Sequence, residues 1–331
     1  MKVPFSIRIL LWPLSVLYGT ASRIRVLLYE RGLLKRRRLN AQVISVGNIT
    51  TGGTGKTPMV IWLAEKFLAT GKSVAILSRG YRGTGGTSDE IEMMRSRLGD
   101  RVAFGVGADR YAEGRRIESR QPVDVFILDD GYQHIQLERD VNVLMLDGSN
   151  KVRDEWLLPA GELREPISAC TRADVIVVTR KRERPDVQAG DSHEHHIFYA
   201  QTRLLGFRRL GERGAVFYLN ELSDNSFFAF CGLGNPQAFL DDLKGWHVSI
   251  VGTKQFRDHH RYSQEDVRQL EQLAKSAGAK GLVTTEKDEQ NLRGVRSALP
   301  VYVAVIDFVF PAESELDALV ERLMSKRSAA A

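Results

Sequence analysis

Cysteine is nearly missing from this chain. Only Cys170 and Cys231 occur in 331 residues. They offer neither a disulfide framework nor the ligand spacing of a zinc site, so a reducing, cytosolic compartment is expected. Internal repeats and low-complexity tracts are absent as well. A spanning apolar run is also lacking at the N-terminus, where Ile9 to Ser22 gives fourteen uncharged residues. A membrane-crossing helix needs about 20. Beyond residue 40, excess basic charge is missing too. Residues 1–40 carry nine Lys/Arg against one acid, Glu30, a local +8 that leaves the remaining chain at −2. A nucleic-acid binder spreads a basic face over its folded domain, so that class of partner is not expected.

What is present is enough for two domains, with 43% hydrophobic residues to build their cores. The N-terminus is both apolar and basic. Ile9 to Ser22 is interrupted next by Arg23 and Arg25, with Trp12, Tyr18 and Tyr29 nearby. That pattern suits a segment lying in a membrane interface, with Lys35 to Arg38 against anionic headgroups. A soluble core helix is the plainer alternative. A cleaved signal peptide would carry the rest of the chain away from ATP, which conflicts with the motif that follows.

Val43 to Pro58 reads VISVGNITTGGTGKTP, a β-branched run, a glycine-rich loop and the start of a helix at Lys56–Thr57. Such a loop cradles nucleotide phosphates. Backbone N–H groups of Thr50, Thr51, Gly52, Gly53, Thr54 and Gly55 can turn inward, Lys56 reaches the β/γ-phosphates, and the Thr57 hydroxyl ligates Mg²⁺. Thr50 stands where the usual G-x-x-x-x-G-K-[ST] pattern has its first glycine. ATP and Mg²⁺ are the expected cofactors.

Strand-like and helix-like stretches then alternate. Strands are expected at 73–77, 124–128, 141–146 and 174–178, with helices at 59–69 and 108–119, which argues a mostly parallel sheet. The polar stretch 181–196, with His193, His195 and His196, reads as a solvated loop. Runs at 197–205 and 215–219 read as a hairpin between domains. A second α/β half follows, with strands at 227–230, 246–251, 281–285 and 301–305 and a helix at 237–243. The expected segments are 1–38 (N-terminal membrane-associated), 39–195 (phosphate-loop domain), 196–222 (two-stranded linker) and 223–331 (smaller α/β domain).

Several polar groups fall just beyond strand ends, where α/β folds build sites. Asp129 and Asp130 close an apolar strand, the place where phosphate-loop enzymes put an acid for Mg²⁺. Gly131 to His134 continue that loop. Arg79, in Ser78-Arg79-Gly80-Tyr81, suits phosphate recognition, with a surface salt bridge as the alternative. Asp89 and Glu90 follow the glycine-rich loop 83–86, and local sequence alone reads them as solvated. Leu158 to Pro166 mixes turn residues with charges that packing does not explain. In Phe256 to His260, an Asp–His neighbour pair could tune a proton acceptor near neutral pH.

Taken together these segments resemble the tetraacyldisaccharide 4′-kinase family of lipid A biosynthesis. The matches run in one order from Val46-Gly47-Asn48 and Gly52 to Pro58, through Leu77 to Tyr81, Asp89-Glu90, Asp129 to His134 and Leu158 to Pro166, to Phe256–His260 and Thr285 to Asp288. The resemblance implies a phosphate-loop core with a mostly parallel sheet, a smaller α/β domain on a two-stranded linker, and an N-terminal membrane-associated helix. It implies transfer of the ATP γ-phosphoryl to the 4′-hydroxyl of an acylated glucosamine disaccharide 1-phosphate, at the cytosolic face of a Gram-negative inner membrane. No obligate protein partner is expected. By the same resemblance Asp89 is the general base and His259 its partner; Thr57, Asp129, Asp130 and Glu165 lie near the metal. Arg79, Tyr81, Glu90, His134 and Arg164 would bind substrate. Two rivals remain at this stage: a membrane-associated phosphate-loop ATPase that switches a protein partner, and a soluble small-molecule kinase.

Overall fold

A computed structural model describes residues 4–80, 88–149, 155–180, 196–212, 216–222 and 225–328. Tyr81, the glycine-rich loop 83–86 and the histidines at 193 and 195 lie outside them. The chain folds as two compact units, and they do not follow chain order. The first gathers Met1–Tyr81, Leu98–Gln201 and Val309–Ala331; the second gathers Arg82–Arg97 and Thr202–Phe308. The contiguous partition expected from sequence differs at two places. The stretch around Asp89 clusters with the second unit, and the C-terminal helix clusters with the first.

The first unit opens on α1 (Phe5–Glu30), 26 residues that run on through Pro13. Strand β1 (Gln42–Gly47) leads into α2 (Lys56–Ala69), then β2 (Val74–Ser78). Helix α3 (Asp89–Leu98) belongs almost entirely to the second unit. The chain continues through β3 (Val102–Val106), α4 (Arg110–Glu118), β4 (Val125–Asp129), β5 (Val141–Asp147) and β6 (Val175–Thr179). Strand order is β3-β2-β4-β1-β5-β6, with β7 (His196–Arg209) beside β6, and these pairings are parallel. Strands β2, β4, β5 and β6 are buried throughout, as their unbroken Val/Ile/Leu runs require of a sheet covered on both faces. Register sets Val46 of β1 against Asp129 of β4, and Leu77 of β2 against Leu128. The phosphate loop, Ser78 and the Asp129–Asp130 pair therefore leave one sheet edge together, at the carboxyl ends where α/β folds bind ligands.

Strand β7 passes from one unit into the other. The hairpin expected at 197–205 and 215–219 is this one long strand with a short return, paired at Phe207 and Phe217 by N–H···O bonds of 2.8 and 2.6 Å. In the second unit β8 (Phe227–Cys231), α5 (Pro236–Gly245), β9 (Ile250–Gln255), α6 (Gln264–Ser276), β10 (Gly281–Thr285), α7 (Glu286–Glu289) and β11 (Val301–Val309) follow. The order β11-β10-β8-β9 is parallel. The strand expected at 246–251 begins later, because Trp246 caps α5 and His247 turns through a positive φ of 60°. Helix α8 (Glu313–Ser328) returns to the first unit, where Lys66 of α2 pairs with Glu313 and Asp317. Among the described residues no helix is long and apolar enough to cross a membrane.

Candidate functional site

Two constellations stand out, one in each unit. In the first unit the loop after β1 is shaped by its own polar residues. Asn48 Nδ2 donates to Thr54 Oγ1 at 3.1 Å and to Gly52 O at 3.5 Å. Gly52 takes φ 115° and Gly55, which starts α2, takes φ 84°, a conformation side chains resist. A Cβ placed on Gly52 or Gly53 would meet no atom within 4 Å, so the loop bounds open space. Thr50 needs no glycine freedom, because it is paired as an extended residue with Leu163, and Thr51 N–H donates to Glu162 O at 2.7 Å. From the far side Arg180 donates to Gly53 O at 3.0 Å and pairs with Asp147 at 3.0 Å.

Lys56, in the first turn of α2, sits 3.2 Å from Asp130 Oδ1. Arg164 closes on both oxygens of Asp130 at 3.0 and 2.9 Å. Burial raises the Asp130 pKa, but Lys56 and Arg164 outweigh it and hold the carboxyl below its usual value. Asp129 is buried and accepts Ser78 Oγ–H at 3.0 Å. Glu165, also buried, is held by Arg172 at 2.6 Å on one oxygen and Gln133 at 3.0 Å on the other. His134 is buried beside Arg110, whose Nη1 lies 3.0 Å from His134 Nδ1. Burial first, then the Arg110 charge, drives the His134 pKa down to about 3, so the ring is neutral and accepts from Arg110. Arg110 in turn feels Asp130, Arg79 and Asp129, and burial lowers its own pKa.

Among the described residues no three His, Cys, Asp or Glu side chains converge on a metal-sized point. Mg²⁺ does not need them, since it takes one or two carboxylates beside phosphate oxygens and water. The Thr57 hydroxyl and the Asp129 carboxylate are hard oxygen donors at the one sheet edge, and they fit that ion. Asp130 and Glu165 are already committed to cations.

In the second unit Asp89 opens α3 and His259 lies on the loop after β9. His259 Nδ1 is 2.9 Å from Asp89 Oδ2, and Asn291 Nδ2 donates to the same oxygen at 2.8 Å. Among the described residues Asp89 Oδ1 carries no hydrogen bond. Lys287 Nζ donates to Asp258 at 2.9 Å and lies 3.3 Å from His259 Nε2, while Glu90 stands 3.8 Å from both. Burial raises the Asp89 pKa, but the His259 and Asn291 donors more than reverse it, and the net shift is downward. The hydrogen bond to Asp89 raises the His259 pKa against the effect of burial.

His259 sits at a positive φ of 59°, held by its N–H to Gly232 O at 3.2 Å. Gly232 N–H is bonded at 2.8 Å to Asp288, which also accepts Tyr262 O–H at 2.8 Å and Thr285 O–H at 2.6 Å. The strain at His259 therefore rests on a buried, fully bonded carboxylate. Helix α3 is fixed by Arg97, which donates to both oxygens of buried Glu286 at 3.3 Å and to Ile306 O at 3.0 Å.

A loop of phosphate-loop form and, separately, a carboxylate–imidazole pair are features that a phosphotransferase can use. Comparison with known proteins decides which one. The family model of LpxK, the tetraacyldisaccharide-1-P 4′-kinase, matches residues 7–325. The chain belongs to this family. A tetraacyldisaccharide 4′-kinase of Geobacter metallireducens is 38% identical over 95% of this chain and 98% of its own, and that of Pelobacter propionicus is 36% identical over 96% and 92%. Among solved structures, LpxK from Aquifex aeolicus, crystallised in complex with ATP, superposes with a TM-score of 0.76 at 31% identity, covering 96% of this chain and 99% of that one.

Of the residues singled out from sequence for a 4′-kinase, 50–57, Asp129, Asp130, His134, Arg164 and Glu165 all lie around the first unit's loop edge. Arg79 is exposed on that edge, after Ser78. Asp89, Glu90 and His259 meet in the second unit. Tyr81 lies outside the described residues. Sequence reasoning passed over Asn291, Arg110 and Arg180. None carries a local signal: Arg110 is one more charge in a polar helix, and Asn291 reaches Asp89 only by tertiary folding.

Proposed function

We infer that this chain transfers the γ-phosphoryl group of ATP to the 4′-hydroxyl of a tetraacyldisaccharide 1-phosphate, as its membership in the LpxK family indicates. The observation that carries the chemistry is the Asp89–His259 contact of 2.9 Å, because an ATPase switch has no use for a held proton acceptor. Asp89 takes the hydroxyl proton through Oδ1, since Oδ2 is filled by His259 and Asn291. His259 orients and holds the carboxylate in its ionised form. Phosphoryl transfer otherwise asks for positioning and charge neutralisation. The loop amides and Lys56 supply these at the β/γ-phosphates, with Asp130 and Arg164 fixing the Lys56 ammonium. Thr57 and Asp129 would hold Mg²⁺, which would neutralise phosphate charge when bound. Arg79 and Arg110 supply positive charge suited to phosphate oxygens, the neutral His134 ring holds Arg110, and Glu90 is assigned to the sugar side.

The substrate is a lipid, and α1 supports a place for it. Phe5, Leu10, Leu17 and Trp12 are 70, 77, 67 and 55% exposed. Such a face has no reason to meet water, and we propose that it lies in the cytosolic interface of the inner membrane.

The test is incubation with γ-labelled ATP, Mg²⁺ and detergent-dispersed disaccharide 1-phosphate lipid. Label in the lipid that disappears in Lys56→Ala supports the kinase. Phosphate release at one rate with and without lipid, and unlabelled lipid, would establish the ATPase switch instead.

A further inference from the structure

Helix α1 is amphipathic in the reverse sense. From Arg8 to Val26 the residues it half-buries or buries are Arg8, Leu11, Ser15, Gly19, Ser22 and Val26, spaced three and four apart along one face, with Leu28 and Tyr29 half-buried in its last turn. Apart from Leu11 and Val26 this inward stripe is charged or small, while the apolar bulk faces out. A helix whose only task was to float on lipid would need no such inward face.

The stripe is engaged by residues 155–165. Ser15 Oγ–H donates to Leu157 O at 2.9 Å and accepts Ala160 N–H at 3.0 Å. Arg8 pairs with Glu155 and donates to Ala160 O at 3.0 Å. Gly19 lets the helix approach the strap closely: a Cβ there would lie 2.6 Å from Leu157 Cδ1, so the leucine side chain would have to shift. Tyr18 O–H donates to Arg164 O at 2.9 Å. The same strap is zipped onto the phosphate loop by main-chain bonds: Thr51 N–H to Glu162 O at 2.7 Å, Arg164 N–H to Ile49 O at 2.7 Å, and the Thr50–Leu163 bridge. Its Arg164 side chain then grips Asp130, which grips Lys56.

We propose that the Arg8–Ser15–Gly19 face of α1 positions the phosphate loop, acting through residues 155–165, so that α1 serves ATP binding in addition to the surface its outer face meets. Among the described residues no hydrogen bond or ion pair joins α1 to the loop itself; Ser15, Tyr18 and Gly19 are positioning residues. The inference rests on residues 50–57 being the ATP site.

Affinity for N-methylanthraniloyl-ATP, measured without lipid, tests it. Binding by wild type that Lys56→Ala abolishes secures the ATP site, and its absence sinks that reading separately. Given that site, Ser15→Ala, Tyr18→Phe and Gly19→Leu are expected to weaken nucleotide binding about fivefold or more. In turnover they raise KM for ATP while KM for lipid and flotation with phosphatidylethanolamine–phosphatidylglycerol vesicles stay unchanged. A general folding defect would instead lower kcat with both KM values. The outer-face pair Leu10→Ser/Leu17→Ser should lose vesicle flotation and keep nucleotide affinity. Tyr18 is exposed, so Tyr18→Phe reports on the path even where Gly19→Leu fails to fold. Wild-type nucleotide affinity in Ser15→Ala and Tyr18→Phe overturns the proposal, as does an equal loss in the outer-face pair.

Discussion

Asp89 is an ordinary surface acid by local sequence, and only its environment suits it to the proposed role of base. Burial pushes its pKa up, but two donors on Oδ2 more than reverse this, so it stays ionised further into acid than a free carboxyl does. A depressed carboxyl stabilises the fold above its unfolded pKa, and that stability is lost as pH falls through the folded value. His259, raised above 6.5, has the opposite sign: its contribution is present below 6.5 and is lost as pH rises through the folded value. The pair is therefore strongest between these limits. Replacing either His259 or Asn291 by Ala removes one donor from Asp89, and the acid limb of kcat/KM is expected to move to higher pH. A hydrogen bond to a charged group contributes about 1.5–3 kcal/mol, so Asn291→Ala should cost about tenfold or more in kcat/KM. An unmoved acid limb in both variants would remove Asp89 as the proton acceptor. Asp89→Ala itself should lose about 10²–10⁴-fold, the usual range for a positioned base. The sequence carried Asp89 and His259 through their family motif. It was silent on Asn291, because the stretch 290–292 has no pattern and gains meaning only where it touches α3.

At the scale of elements, legibility followed burial. The all-buried strands β2, β4, β5 and β6 read directly from their Val/Ile/Leu runs, within a residue or two of their ends. Strand β9 did not. It alternates half-buried and exposed residues at the edge of the sheet, and its Thr253, Lys254 and Gln255 hide it from any search for apolar runs. Helix α1 was legible in composition yet not in orientation, since nothing local says that the small residues turn inward. Its basic tail makes a separable prediction. Arg37 and Arg38 are engaged with Asp109 and Asp140 at 3.1 and 3.4 Å, which leaves Lys35 and Arg36 as the charges best placed for anionic headgroups. Each contributes on the order of 1 kcal/mol near such a surface, so Lys35→Gln/Arg36→Gln should weaken binding to phosphatidylglycerol vesicles about thirtyfold at low salt. Raising the ionic strength to about 0.5 M should erase most of that difference by screening. A difference that survives high salt would assign the effect to packing.

For the whole molecule, chain order and spatial order part company, and the C-terminus shows it best. The sequence placed 223–331 in one segment because its α/β grammar is continuous. In the fold, Val309–Ala331 clusters with the phosphate-loop unit. Phe310 packs on Trp62 of α2 at 4.7 Å between ring centroids, and Gln42 of β1 donates to Met324 O at 3.1 Å. Leu316, Leu319, Val320 and Met324 are all buried. Helix α8 thus covers part of the core that fixes α2, whose first turn carries Lys56 and Thr57. Burying a large apolar side chain contributes about 1.5–3 kcal/mol, so four such residues and the Trp62 contact amount to a large share of any domain's stability. Removing residues 309–331 should accordingly damage the nucleotide site at the other end of the sequence. Hydrogen exchange is expected to show protection lost over 42–69 and kept over 227–231 and 281–285, with ATP no longer raising Tm. Protection lost first over 227–285 would return the C-terminus to the unit that its position in the chain suggests.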